Sequence, residues 1–194
     1  MSPPTSEVQE IEELLGAAAS TVDLLLLRWP GLSPREVGRR VERLLRAPSR
    51  PPLAIHARFD LALALGVEGV HLPERELEPE WVRRHVGSLC VGVSRHDAEG
   101  LSRAVGADYA TLSPFAPTVS KPGVTPLPRA EFARACREAP LPVLALGGVC
   151  EENTRDALGA GAHGIALISG VFGRRDPVAA LMRLRGILDG PGAV

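Results

Sequence analysis

An α/β fold of the (β/α)8 barrel type, with its first strand missing or degenerate, is what these 194 residues predict. Three observations carry that prediction. Short apolar runs alternate with amphipathic stretches, at a spacing of roughly 20 to 30 residues that suits one strand–helix unit. Most runs are apolar on both faces, as parallel strands covered by helices must be. Each run also ends in polar or glycine residues, the position at which barrels carry their chemistry, and this favours a barrel over the doubly wound sheet that alternation alone would equally allow.

The chain opens on a helical pattern over roughly 6–18, with no convincing strand before it. A complete barrel has eight strands, and seven are recognisable here. Either MSPPTS holds a degenerate strand, or the sequence starts after one, or the barrel is open at that seam, where unpaired edge groups need cover. The first recognisable strand is VDLLLLR (22–28). SPREVGRRVERLLRA follows as a helix, with Ser33, Pro34 and Glu36 forming a capping-box start. The remaining strands are PLAIH (52–56), GVHLP (69–73), LCVGVS (89–94), DYATLSP (108–114), PVLALGG (142–148) and GIALISG (164–170). The helix DPVAALMRLRGILDG closes the pattern, and one domain over residues 1–194 accounts for the whole length.

Composition narrows the function classes. With 22 basic and 23 acidic residues the net charge is −1, and the signs alternate along the helices. The basic tract that nucleic acid or an anionic membrane surface would need is missing. The N-terminal MSPPTSEVQEIEELLG is acidic and lacks the pattern of a secretory signal, and no apolar run approaches the ~18 residues of a membrane span. Cys90, Cys136 and Cys150 are odd in number and have no CxxC spacing, which argues against a disulfide framework and a zinc site. A soluble cytoplasmic protein with reduced cysteines is expected. The oligomeric state is left open, and an exposed seam is compatible with a homodimer.

The strand ends hold the candidate site. LGGV (146–149) and ISGVFG (168–173) place Gly147, Gly148, Ser169 and Gly170 in the last two turns. Glycines let backbone approach a ligand, and amides at the start of a short helix favour a phosphate. Barrels commonly hold phosphate at these two loops. The other role open to Gly147 and Gly148 is to turn the strand. The loop TLSPFAPTVSKPG adds the hydroxyls of Thr118 and Ser120 and the ammonium of Lys121, the only lysine among the 22 basic residues. Pro114, Pro117 and Pro122 reduce the ordering cost of that loop.

These segments also carry a family resemblance. PFAPTVSK is similar to the P-x-x-P-T-x-[ST]-K stretch of thiamine phosphate synthases. LGGV, GAHGIALISGVF, GVEGVHLP, RFDLALALG and VGVSRHD resemble the same family and the related thiazole tautomerases, in order, over roughly residues 22 to 175. The resemblance implies a barrel mouth that holds a thiazole phosphate, a small phosphorylated heterocycle. Ser94, Thr118, Ser120, Lys121, Gly148 and Ser169 match family positions that contact pyrophosphate or thiazole phosphate.

The chain departs from the synthase pattern where magnesium would be held. The family's Asn-Asp pair reads His56-Ala57, and its Gln-Glu-Asp turn becomes the run Pro73-Glu74-Arg75-Glu76. Magnesium needs hard oxygen ligands, which alanine lacks, so Glu76, or Glu74, is the substitute ligand only if the chain is a synthase. The lysine of the synthase's Gln-Leu-Arg-Glu-Lys stretch has become Pro30, after Arg28, which can reach a carboxylate or phosphate, and Trp29, which either stacks on a ring or plugs the rim. Isomerisation of a thiazole asks only for an anchored phosphate and one acid/base group poised near neutrality, with no cofactor. The tautomerases carry a histidine where this chain has Pro114, which leaves His56, at a strand end, as the candidate shuttle. The expected function is therefore a thiazole tautomerase-like isomerase. The alternatives are a magnesium-dependent thiamine phosphate synthase, a transferase, and a non-catalytic thiazole phosphate binder.

Overall fold

The computed structural model describes residues 8–118, 123–172 and 174–190. The helix α1 (Val8–Ala18) comes first, and β1 (Leu25–Leu27), α2 (Pro34–Leu45), β2 (Leu53–His56), α3 (Phe59–Leu65) and β3 (Gly69–Leu72) follow. Next are α4 (Pro79–Val86), β4 (Cys90–Arg95), α5 (Ala98–Ser102), β5 (Tyr109–Leu112) and α6 (Arg129–Glu138). The chain then runs through β6 (Val143–Leu146), α7 (Glu151–Gly159), β7 (Gly164–Ala166), α8 (Ser169–Phe172) and α9 (Pro177–Leu188). All neighbouring strands pair in parallel, in the order β1 to β7, each beside the one before it in sequence. This is the curled sheet of a TIM-type barrel, with helices on its outer face.

Strand periodicity assigns the two faces. In β4, Val91 and Val93 are fully buried on the outer side, while Cys90, Gly92 and Ser94 alternate with them on the inner side. Ile55, Val70, Leu72, Ala110, Leu112, Val143 and Ala145 join the same core between sheet and helices. Each fully buried Leu, Ile or Val side chain contributes about 1.5–3 kcal/mol over its exposed state.

The element boundaries follow local chemistry. At α2, Ser33 Oγ accepts from the Glu36 amide (3.3 Å) and Glu36 Oε2 accepts from the Ser33 amide (2.9 Å), the capping box that the sequence predicts. At α9, the Asp176 side chain accepts from the Ala179 amide at 2.9 Å. Strand β1 is shorter than expected because the Val22 amide still donates to Ala18 O (2.9 Å), so the chain stays wound beyond α1. The run 164–170 splits, since β7 stops at Ala166 and Ser169 opens α8. Strand β6 ends at Leu146 because Gly147 and Gly148 take φ of 88° and 67°.

Among the described residues β1 and β7 are the two ends of the strand order, each paired on one side only, and MSPPTS, where a degenerate first strand would lie, is outside the described residues. Helices α1 and α9 contribute Ile11, Leu15, Leu181 and Leu184 to the wall of an interior cavity of ≈ 740 Å³. Cys90, Cys136 and Cys150 are free thiols, and no helix among the described residues is long and apolar enough to cross a membrane.

Candidate functional site

A second pocket, of ≈ 330 Å³, opens at the C-terminal ends of the strands. Arg28 follows β1, His56 ends β2 and Ser94 lies near the end of β4, and all three line it. Thr118, Gly147, Gly148 and Ser169 line it from the loops after β5, β6 and β7. The structure thus gathers seven of the sequence-predicted residues, which lie up to 141 positions apart (Arg28 to Ser169: 169 − 28), around one opening. Gly170 sits just beneath, buried, where an added Cβ would meet Leu167 Cδ2 at 3.0 Å. Ser120 and Lys121 lie outside the described residues.

The two glycines of the β6 turn are required by close packing as well as by conformation. A Cβ at Gly148 would lie 2.5 Å from Pro117 O and 2.6 Å from Ala116 O, and one at Gly147 would lie 3.0 Å from Pro114 Cα. The Phe115 and Ala116 amides donate to Leu146 O and Gly147 O at 2.9 Å each. The proline loop is therefore bonded along the glycine turn, and Thr118 is carried to the pocket edge by that seam. Gly147 and Gly148 turn the strand and also line the pocket.

His56 is partly buried in the pocket wall, and burial first, then the Arg28 charge, lowers its pKa to about 4. The expectation of a histidine poised near neutrality is not met there: at pH 7 the ring is neutral, a hydrogen-bonding group and weak base. Behind it, His71 is completely buried and its ring stacks at 6.0 Å on His56. His71 Nε2 lies 2.9 Å from Ser94 Oγ and Nδ1 lies 3.1 Å from Tyr109 Oη.

Sequence reasoning missed the pairing of Glu74 with His96. Both line the pocket, and His96 Nδ1 lies 2.8 Å from Glu74 Oε2. The residues are 22 apart and sit on different loops, and the sequence offered only the turn position of Glu74 and the VGVSRHD segment that contains His96. Trp29 resolves as a rim plug: it is buried, with the Arg40 guanidinium 5.3 Å from its ring centre. Arg58, in the RFDLALALG segment, pairs with Asp60 at 2.6 Å. His163 is exposed.

The described residues do not make a magnesium site. Ala57 offers no ligand, Glu76 is exposed and does not line the pocket, and the one carboxylate that does, Glu74, is hydrogen-bonded to His96. No group of three or more His, Cys, Asp or Glu side chains converges as a metal cage among the described residues. What the arrangement offers an anion is the Arg28 charge, the Ser94, Thr118 and Ser169 hydroxyls, and backbone that approaches closely at Gly147 and Gly148.

Comparison with known proteins agrees with this fold. The sequence profile described as thiamine monophosphate synthase matches residues 2–171. A putative thiamine-phosphate synthase of Geobacter sulfurreducens is 41% identical over 170 residues, covering 84% of this chain and 79% of that protein. A thiamine-phosphate synthase of Geobacillus kaustophilus is 33% identical over 158 residues, covering 79% of this chain and 71% of that protein. Among solved structures, the thiamine phosphate pyrophosphorylase of Pyrococcus furiosus superposes with a TM-score of 0.80 at 26% identity, covering 97% of this chain and 93% of that one. These relatives carry transferase names, which reverses the order in which the sequence reading ranked isomerase and transferase. With its fold and most of its length matched, this chain belongs to the thiamine monophosphate synthase family.

Proposed function

We propose that the chain is a transferase that binds a thiazole phosphate at the barrel mouth and joins it to a pyrimidine pyrophosphate, releasing pyrophosphate. The observation that carries this reading is the convergence of Arg28, Ser94, Thr118, Ser169 and the Gly147-Gly148 turn on one pocket at the strand C-termini. In the joining step a carbon–nitrogen bond forms to the thiazole ring nitrogen while a carbon–oxygen bond breaks, and the electron pair leaves with pyrophosphate. Charge thus builds on the leaving oxygens. Arg28 is the permanent cation placed to meet it, and hydroxyl and amide donors held in fixed positions stabilise such charge without reorganising. A neutral His56 beside Arg28 provides a ring face and a hydrogen bond without adding a second charge. Lys121, which matches a family position that contacts pyrophosphate or thiazole phosphate, belongs to the same proposal.

A second reading, a non-catalytic binder, is favoured by Ala57 at the family's carboxylate position and by the Glu74–His96 pair. One experiment separates the readings. Purified protein is incubated with pyrimidine pyrophosphate and the thiazole phosphate carboxylate, with magnesium and with chelator, while thiamine phosphate, pyrophosphate, thiazole isomers and the carbon dioxide lost from the ring carboxylate, where a proton takes its place, are followed. Coupled formation of thiamine phosphate and pyrophosphate is expected. Binding of the thiazole without either product would establish the binder, and isomerisation alone would restore the tautomerase.

A further inference from the structure

Inside the barrel, three polar side chains form a line that ends at the mouth pocket. Tyr109 Oη lies 3.1 Å from His71 Nδ1, and His71 Nε2 lies 2.9 Å from Ser94 Oγ. The line is built by register. His71 is opposite Gly92, and Gly92 is opposite Tyr109. Because Gly92 has no side chain, the tyrosine ring lies across it: a Cβ there would be 2.2 Å from Tyr109 Cζ and 2.4 Å from Tyr109 Oη. The missing methyl is therefore the space through which the hydroxyl reaches the histidine. On the other side of Ser94, the buried Arg95 donates to Ser94 O at 2.8 Å and to Gly100 O at 2.8 Å, which holds the backbone of the serine in place.

Counting protons leaves two arrangements. A neutral imidazole has one N–H and one bare nitrogen. Burial lowers the His71 pKa to about 3 and raises that of Tyr109, so the ring is neutral and the phenol keeps its proton at pH 7. In the first arrangement Tyr109 donates to Nδ1, Nε2–H donates to Ser94 Oγ, and the serine proton turns outward to the pocket. In the second, Ser94 donates to Nε2, Nδ1–H donates to Tyr109, and the phenol proton turns toward the interior cavity, whose wall is largely aliphatic. The first satisfies the buried phenol and the second asks it to find another acceptor, so burial favours the first. An anion in the pocket favours it again, since only then is Ser94 a donor.

We propose that Tyr109 and His71 are positioning residues that hold the Ser94 hydroxyl as a hydrogen-bond donor to an anionic oxygen of the bound ligand. The inference rests on the phosphate reading of the mouth pocket. It assigns a role to the buried tyrosine and histidine, and it makes the glycine at position 92 part of the site although it does not line the pocket.

The test uses inorganic pyrophosphate as the probe, with calorimetry on the wild-type chain, Ser94→Ala, Tyr109→Phe and the double variant. Tyr109→Phe keeps the ring and removes only the hydroxyl. Losing one hydrogen bond to a charged oxygen lowers affinity by about tenfold, so Ser94→Ala is expected to weaken binding by that amount and Tyr109→Phe by about threefold or more. The double variant should bind no more weakly than Ser94→Ala, because the tyrosine acts only through the serine. Nitrogen-15 spectra of the histidines with pyrophosphate bound should show His71 protonated on Nε2. Additive losses, unchanged binding by Tyr109→Phe, or a proton on Nδ1 would overturn the proposal while leaving the pocket reading intact. Absence of pyrophosphate binding by the wild-type chain would overturn both.

Discussion

Lowering the pH from 7 to 5 should remove stability through His71 before the carboxylates respond. The group is fully buried, and burial first, then the His56 and Arg95 charges, lower its pKa from 6.5 to about 3. A histidine whose folded pKa is depressed stays neutral in the native state, so the unfolded chain binds more protons below pH 6.5. Stability is fully present above 6.5 and is lost as the pH falls from there toward 3. At pH 5 the loss from His71 alone is about 2 kcal/mol, and the whole shift corresponds to about 5 kcal/mol. His56 follows the same sign, its pKa of about 4 set by burial and Arg28. It is partly exposed, so solvent screening reduces its share to about 1 kcal/mol at pH 5. Asp60, held below 3.8 chiefly by its hydrogen bond from Arg58, acts with the same sign in a lower window and loses its share only below that value. Urea unfolding at pH 7, 6 and 5 measures the sum. A fall of about 2–3 kcal/mol between 7 and 5 is expected, with the His71 ring resonances of the folded protein unchanged across the range. A free energy at pH 5 within about 0.5 kcal/mol of that at pH 7 would refute the buried neutral histidine, as would a His71 resonance that titrates near 6.

Three substitution experiments probe the backbone. Gly148→Ala places a Cβ against two carbonyl oxygens in a left-handed conformation, and should cost about 2–4 kcal/mol in urea unfolding and displace the 114–118 loop. Gly38→Ala, in the middle of α2 with nothing within 4 Å of the new methyl, should instead stabilise by about 0.5–1 kcal/mol. Ala57 has φ of 64°, so Ala57→Gly should relieve about 1–2 kcal/mol of strain, less about 0.4–1 kcal/mol of added unfolded-chain entropy, for a net gain in thermal stability.

Several features that place the site are local, and for that reason they were legible in the sequence. The Ser33–Glu36 capping box needs only a three-residue spacing, and the glycines at 147 and 148 mark a backbone that turns back on itself. Strand ends that finish in Ser94, Thr118, Gly148 and Ser169 indicate one mouth once the strands are known to be parallel. The isomerase ranking went astray because it leaned on groups missing from the synthase pattern, at Ala57 and Pro30, and on a histidine assumed to titrate near its ordinary value.

By itself the sequence determined the alternation of seven strands and their helices, the parallel sheet and the end of it that carries polar groups, because periodicity and turn chemistry are properties of neighbouring residues. Only the tertiary structure decided that His71 meets Tyr109 across Gly92, that Glu74 is held by His96, and that His56 sits beside Arg28 with its pKa depressed. Those relations depend on register between strands and on the dielectric of a closed interior. Both arise from which distant residues are brought together when the sheet curls, and no pattern along the chain encodes them.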